Sequence, residues 1–390
     1  MGAGGPFGGA SAGSIATELA AVTLTANVTT VTEVANVTSV DTVDAITEVA
    51  NVTSVDTVDT LTEVIRAGEP YLIAVARGAI TGRSATLKFG INTDVDDATF
   101  EDMWDGGGTY TGFNATAGQA IEVLSGSGAD TGTVLSSGTG TGGSSTTFAD
   151  TGATFSTDTV AAGDIVINDT QSDHMIVTSL TETVLTGKCW RHGTTPAASD
   201  AYRVATPGST GAAVVRLPKC LDSTWAESVE YVVLNGATPV DTAGTDYIRS
   251  SRVRVVLAGS GLGNAGIITT RQTTTTANVF GIMIIGYNSS MVACDTVPAG
   301  KQAYILGWFG GLNGNTQADC AMRLLARPTG EPFQVQDEGS LRGAGTSSFP
   351  KEFATPNGPW PAGTDIKIEG NSDANNTSIA ASFDLLLVDV

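Results

Sequence analysis

The 390-residue sequence predicts an all-β protein, a trimeric fibrous stalk with a period-three apolar repeat followed by β-sandwich or jelly-roll-like domains. Three observations carry this expectation. From Val28 to Val64 every third residue is apolar. Beyond Ala67, strand-sized apolar runs alternate with Gly, Asn, Asp and Pro turns. The chain holds 48 glycines and only 15% charged residues, and it lacks long amphipathic helical patterns, which points to sandwiches or jelly rolls.

Residues 1–27, opening MGAGGPFGGASAG, read as a flexible anchoring segment that lies on another protein's surface. They show neither the basic nor the apolar region of a secretory signal. Pro6 stands where a myristoylation motif has Ser or Thr.

The stalk spans 28–66. Its axis positions are Val28, Val31, Val34, Val37, Val40, Val43, Ile46, Val49, Val52, Val55, Val58, Leu61 and Val64. On an α-helix, steps of three drift by about 60° each and smear the stripe around the axis. On a flat strand, alternate members would point to opposite faces. An extended screw of three residues per turn keeps them on one edge, but has no internal hydrogen bonds. Partner chains must then bury the seam, and three copies about a common axis are the simplest arrangement. The segment is also duplicated: EVANVTSVDTVDAIT at 33–47 recurs as EVANVTSVDTVDTLT at 48–62. Fifteen residues are five threes, so the seam is preserved. A disordered polar linker is the plainer alternative, but such linkers are poor in β-branched residues. A single-chain solenoid would have barely two coils. No Lys or Arg precedes Arg66, so coiled-coil interchain ion pairs are excluded from the stalk.

After the stalk the expected domains are a β-sandwich made of 67–131 plus 208–290, a small inserted β module at 132–207, and a C-terminal jelly-roll-like knob at 291–390. PYLIAVARGAI, ATLKFGI, QAIEVLSG, AVVRLP, SVEYVVLNG, SRVRVVLAG, GIITTRQ, VFGIMIIGY, QAYILGWFGG, AMRLLARP and ASFDLLLVDV read as strands. ATFEDMWDGG, around Trp104, is the one stretch suited to a helical turn. The 132–207 segment is richer in Gly, Ser and Thr than its flanks, and its removal joins two strand-like runs. Loop tips tolerate such insertions.

A formal charge of −21 argues against nucleic acid and against an anionic membrane surface as partners. No run reaches transmembrane length. Cys189, Cys220, Cys294 and Cys320 are far apart, without CxxC spacing, and read as buried free thiols in strands. His174 falls in an expected strand and His192 in a loop. Neither has the spacing of a nucleophilic triad, and Cys189-x-x-His192 lacks the second ligand pair that zinc needs. GSGLGNAG at 259–266 precedes a strand-like run, so it reads as a β-hairpin loop and not as a dinucleotide fingerprint. GTGTGG at 138–143 lacks the phosphate-loop lysine. Asp94, Asp96, Asp97, Glu101 and Asp102 form an acidic cluster that suits a solvated loop, with calcium as the alternative; the spacing lacks the glycine and terminal Glu of a calcium hand. The expectation is therefore no enzyme, no cofactor and no resident metal.

Several segments resemble virion structural proteins of tailed phages, especially those of marine viral communities. They are FGINTDVDDATFEDMWDGGGTYTGF, TPVDTAGTDYIRSSRVRVVLAGSGLGNAGIITTRQ, TTTANVFGIMIIGYNSSMVACDTVPAGKQAYILGWFGG and GTDIKIEGNSDANNTSIAASFDLLLVDV. The insertion, GGSSTTFADTGATFSTDTVAAGDIVIND, is similar to a β module scattered through phage structural proteins. The resemblance covers most of 80–390 and brings no catalytic residues with it. It implies a component of the virion surface. The leading expectation is a homotrimeric head fibre or capsid decoration, bound to the major capsid or another virion protein through its N-terminal segment, with weak multivalent attachment to host-surface glycan. The alternatives are a tail fibre or receptor-binding protein and a polysaccharide-degrading tailspike.

Overall fold

The computed structural model describes residues 71–390 apart from 77, 98, 313–317 and 344–346. The anchoring segment, the stalk and its axis residues Val28 to Val64 lie outside the described residues. Among those described, no helix is long and apolar enough to cross a membrane.

The regular structure of the described chain is almost all strand, arranged as three β units nested inside one another. The outermost unit has a four-stranded and a five-stranded antiparallel sheet. One runs β1 (Arg83–Val95), β24 (Thr377–Asp389), β19 (Lys301–Leu312), β22 (Ser348–Trp360). The other runs β18 (Cys294–Thr296), β23 (Asp365–Ser372), β20 (Cys320–Arg327), β21 (Gln334–Leu341), with β2 (Glu101–Asp102) also paired to β23. Numbered in chain order with β1 first and β18 second, the eight strands lie in the orders 1-8-3-6 and 2-7-4-5. That is the double Greek key of a jelly roll. Its core holds Met103, Ile305, Trp308, Met322, Leu324, Ile366, Ile368 and Phe383.

This corrects the expected domain boundaries. The C-terminal unit takes its first strand from residues 83–95, which the sequence reading placed in the preceding sandwich. β1 pairs with β24 from Arg83↔Val388 to Asn92↔Ile379. PYLIAVARGAI also differs from expectation, because it begins with a short helix, α1 (Tyr71–Ala76). Ala74, Val75 and Ile80 pack on Leu386 of β24. Gly78, at φ +74°, closes the helix by donating to the Val75 carbonyl while Ala79 donates to that of Ala74.

The chain leaves the jelly roll at β2 and returns at β18, both on the same edge of β23. Around Trp104 there is no helical turn. Trp104 instead forms an isolated bridge with Val292, tying the outgoing chain to the returning one. β1 crosses directly over this mouth, where a Cβ on Gly90 would sit 2.0 Å from the Met103 carbonyl oxygen and 2.4 Å from the Ala293 nitrogen. Only glycine fits there.

The second unit is a sandwich of two sheets. β12 (Glu227–Val233), β11 (Ala212–Asp222) and β14 (Tyr247–Ser250) form one, with β15 (Arg254–Ala258) also on β11. β13 (Val240–Asp241), β3 (Ile121–Ser125), β16 (Ile268–Gln272) and β17 (Val279–Met283) form the other. Ile121, Val123, Val215, Leu217, Val232, Ile268 and Phe280 fill its core. The GSGLGNAG stretch therefore connects strands of opposite sheets, not the two arms of a hairpin.

Between β3 and β11 lies a seven-stranded sheet with its own core around Phe148, Phe155, Trp190 and Tyr202. Its strands are β4 (Gly132–Thr139), β5 (Gly142–Ser144), β6 (Thr147–Ala149), β7 (Ile165–Asn168), β8 (Asp173–Leu180), β9 (Val184–Gly187) and β10 (Ala201–Pro207), in the order β4-β10-β7-β8-β9-β6-β5. β7 is buried on both faces. Val166 points into the module's core, while Ile165 and Ile167 pack with Val214, Tyr231 and Leu257 of the host sandwich. The alternation of a single strand thus joins module to host.

Candidate functional site

Charged side chains are buried together where the jelly roll meets the inserted sandwich. Asp365, at the start of β23, is 2% exposed. It accepts hydrogen bonds from Arg249 Nε and Nη2 at 3.1 and 3.0 Å, from Arg327 Nη2 at 2.6 Å and from Thr296 Oγ1 at 2.6 Å. Arg249 comes from β14 of the inserted sandwich, so this carboxylate ties the two units together. Asp295 on β18 lies 2.8 Å from Lys219 Nζ of β11 and 3.2 Å from Lys88 Nζ of β1. Lys219 also donates to the Thr296 carbonyl and Lys88 to Ser251 Oγ. A third pair, Lys367 with Asp102 at 2.7 Å, is flanked by Glu369.

Aromatic rings seal this network. Trp104, Tyr110 and Phe113 stack edge-to-face in series, with centroids 5.3 and 4.9 Å apart. The Tyr110 hydroxyl lies 3.1 Å from the Ser250 and Phe280 carbonyl oxygens. The space enclosed beside it is about 10 Å³, at the lower limit for one water molecule. This junction is therefore a lock between domains and not a ligand pocket.

Burial alone would raise the Asp295 carboxyl, but Lys219 and Lys88 outweigh it and hold the group below the usual carboxylate range. Burial lowers Lys88 to about 8, with Asp295 opposing and Lys219 and Arg252 adding to the fall. Burial also drives the Cys294 thiol well up, so it stays protonated and unreactive.

The structure disperses the acidic cluster. Asp94 and Asp97 are exposed and Asp96 is half-buried, whereas Glu101 and Asp102 are buried and committed. Glu101 accepts from Asn92 Nδ2, the Gly108 N–H and the Asp96 N–H. Asp102 accepts from the Tyr110 N–H. Among the described residues no group of three or more His, Cys, Asp or Glu is placed to hold a metal. All four cysteines are free. Cys220, Cys294 and Cys320 are buried in strands, but Cys189 is exposed in a loop, contrary to expectation. The junction residues escaped the sequence reading, although a signal was present. Lys88, Lys219, Asp295 and Asp365 each interrupt an apolar run (ATLKFGI, RLPKCL, VACDTV, TDIKI), in a chain that is otherwise sparing with charge.

His174 on β8 faces the host sandwich, its Nδ1 3.0 Å from the Tyr231 hydroxyl. Burial lowers its pKa to about 4; Asp173 opposes this, and Arg216, His192 and Arg191 reinforce it. The unfolded chain therefore binds a proton between about 6.5 and 4 that the folded chain refuses. Stability rises with pH across that window and is lost as pH falls through it. A urea midpoint followed from pH 7 to 4 should decline, and His174→Gln should remove part of the slope. An unchanged slope would show that the contact does not exclude the proton.

Two loops of the inserted sandwich are clasped by Asn264 and Asn288. Asn264 Nδ2 donates to the Gly266 and Ile284 carbonyls, and Asn288 Nδ2 to that of Leu262. They hold Leu262, Ile267, Ile285 and Tyr287 out in solvent, with Leu262 80% exposed.

No protein-family profile matches the chain, and no curated protein aligns with it significantly. Among solved structures, the chain is similar to the infectious bursal disease virus Gx strain at 9% identity, covering 78% of this chain and 70% of that one, with a TM-score of 0.17. The VP2 subviral particle of the same virus gives 9% identity, 78% and 71% coverage and a TM-score of 0.17. At that TM-score the likeness carries no argument about this chain.

Proposed function

We propose that the protein is a homotrimeric virion surface component, a head fibre or capsid decoration of a tailed phage, that acts by display. The observation that carries this reading is the unbroken three-residue seam from Val28 to Val64, set directly before a jelly roll with nested β insertions. The seam has no use in a lone chain, and the jelly roll is an architecture of capsid and lectin domains. The resemblance to phage virion proteins supports the same reading, and the charged junction would keep the displayed units at a fixed angle. Residues 1–27 would hold the particle. Three copies of each displayed surface would give avidity without a strong single site.

Sedimentation of the full chain at micromolar concentration is expected to give a trimer. Val43→Asp with Val58→Asp should convert it to monomer, because two levels of the stalk would each bury three carboxylates. A monomeric wild-type chain would overturn the stalk. Immunogold labelling of particles should place the protein on the capsid shell; label confined to the tail tip would favour the receptor-binding alternative.

A further inference from the structure

Beside the junction, β1, the 251–254 segment and the ends of β11 and β12 enclose an open groove of about 590 Å³. Five cations line it, Lys88, Lys219, Arg252, Arg254 and Lys301, against two carboxylates, Glu227 and Asp295. This is a local excess of positive charge on a chain whose net charge is −21. The lysines are spoken for. Lys88 and Lys219 share Asp295, and Lys301 pairs with Asp389. The arginines are engaged only loosely: Asp295 favours the charged form of Arg252 from a distance, and Arg216 lies over the Tyr231 ring. Among the described residues no carboxylate forms an ion pair with Arg252, Arg254 or Arg216.

Arg252 is 7% exposed and lies over the Phe89 ring at 4.2 Å. Its Nε and Nη2 are buried without a hydrogen-bond acceptor. Leaving such donors unmet is costly, and guanidinium does not escape the cost by losing its proton. One strand away, Arg254 stands directly opposite Arg216 in the β11–β15 register, and Arg216 Nε is also buried and unmet. Like charges directly opposite each other destabilise a sheet. The Arg254 guanidinium is lowered by partial desolvation, then by Arg216 and Arg191. Three arginines are thus kept together, and two of them have buried donors without an acceptor.

We infer that this groove is a binding site for the oxyanion of a small acidic ligand, the carboxylate or sulfate of an acidic saccharide. Arg252 and Arg254 are its donors, and Arg216 contributes charge from the neighbouring strand. Arginine forks suit planar carboxylate and tetrahedral oxyanions alike. The volume accommodates a sugar-sized molecule, and Ser84 and Thr86 on β1 offer hydroxyls along one wall. The inference stands whether or not the protein decorates a capsid.

The test is calorimetric titration of the full chain with inorganic sulfate, with glucuronate and with neutral glucose, at low and at physiological salt. Sulfate, glucuronate or both should bind, more weakly as salt rises, and glucose should not. The acid that binds identifies the ligand's charged group. Arg254 is exposed, so Arg254→Ala should fold normally and weaken binding about tenfold or more. Arg252→Gln should do the same, and if it lowers the melting temperature, Arg254→Glu takes its place. Absence of binding by both anions, or equal binding to wild type and Arg254→Ala at matched melting temperature, would overturn the assignment.

Discussion

Replacing Asp365 by alanine is expected to lower the unfolding free energy by about 3–5 kcal/mol, the usual cost of stripping a buried charge of its partner. Arg249 is 7% exposed and cannot shed its charge. In the variant its Nη1 would keep the Ala115 and Ile248 carbonyls, both at 2.8 Å, but its Nε and Nη2 would face the Asp365 vacancy. Arg327, whose side chain is 26% exposed, can turn to water, so Arg327→Met should cost much less. The decisive comparison is a double-mutant cycle. Because the pair is buried, Asp365→Ala combined with Arg249→Met should be more stable than Asp365→Ala alone. Urea unfolding of the four proteins reads this directly. A midpoint for Asp365→Ala within about 1 kcal/mol of wild type would mean that the junction does not bear on stability.

Much of the β architecture was legible because short β-branched runs between Gly and Asp turns have few other uses. IEVLS, AVVRL, EYVV and LLLVD are strands in the structure as in the reading. β21 and β23 were missed because QVQDEGSL and DIKIEGNS are too polar to register as strands, though their neighbours recruit them. β1 was assigned to the wrong unit for a different reason. Its partner β24 lies nearly 300 residues away, and pairing across such a distance leaves no local mark. Its pattern also misleads. Leu87, Phe89 and Ile91 invite burial, yet the buried face carries Lys88, Gly90 and Asn92, because that face meets the mouth of the insertion. Lys88 reaches Ser251 there and Asn92 reaches Glu101. α1 shows the converse: a short apolar run has no period of its own to separate helix from strand. The candidate site was the least legible part. Asp295, Asp365, Arg249 and Lys219 come from different units, and only the tertiary fold brings them within hydrogen-bond reach.

The second large effect is expected at Asp130, where the module enters its host. Asp130 is fully buried. Its Oδ1 accepts the N–H groups of Ala212 and Ala265, each at 2.7 Å. Its Oδ2 accepts the Ser125 hydroxyl at 2.5 Å and the Gly266 N–H at 2.8 Å. One carboxylate therefore binds the end of β3, the start of β11 and the loop before β16, and it sits two residues ahead of β4. The stems of the insertion meet on it, helped by backbone bonds from Gly208 to Thr131 and from Gly211 to Ala129. Asp130→Ala would orphan the buried N–H groups of Ala212 and Gly266 at about 1–3 kcal/mol each and strip the part-buried Ala265 N–H of its acceptor, so a loss of about 4 kcal/mol is expected. Asparagine should not rescue it. Both oxygens face donors, so either orientation of the amide would set an NH2 against them. Gly211→Ala should fail in the same direction, because a Cβ there would lie 2.3 Å from Asp130 Oδ1 and 2.7 Å from the Ala129 carbonyl oxygen. Hydrogen exchange should speed up first at Ala212, Ala265 and Gly266, with the module's own core around Phe148 and Trp190 still protected. If Asp130→Ala unfolds within about 1 kcal/mol of wild type with those amides still slow, the backbone bonds alone hold the stems and the carboxylate is dispensable.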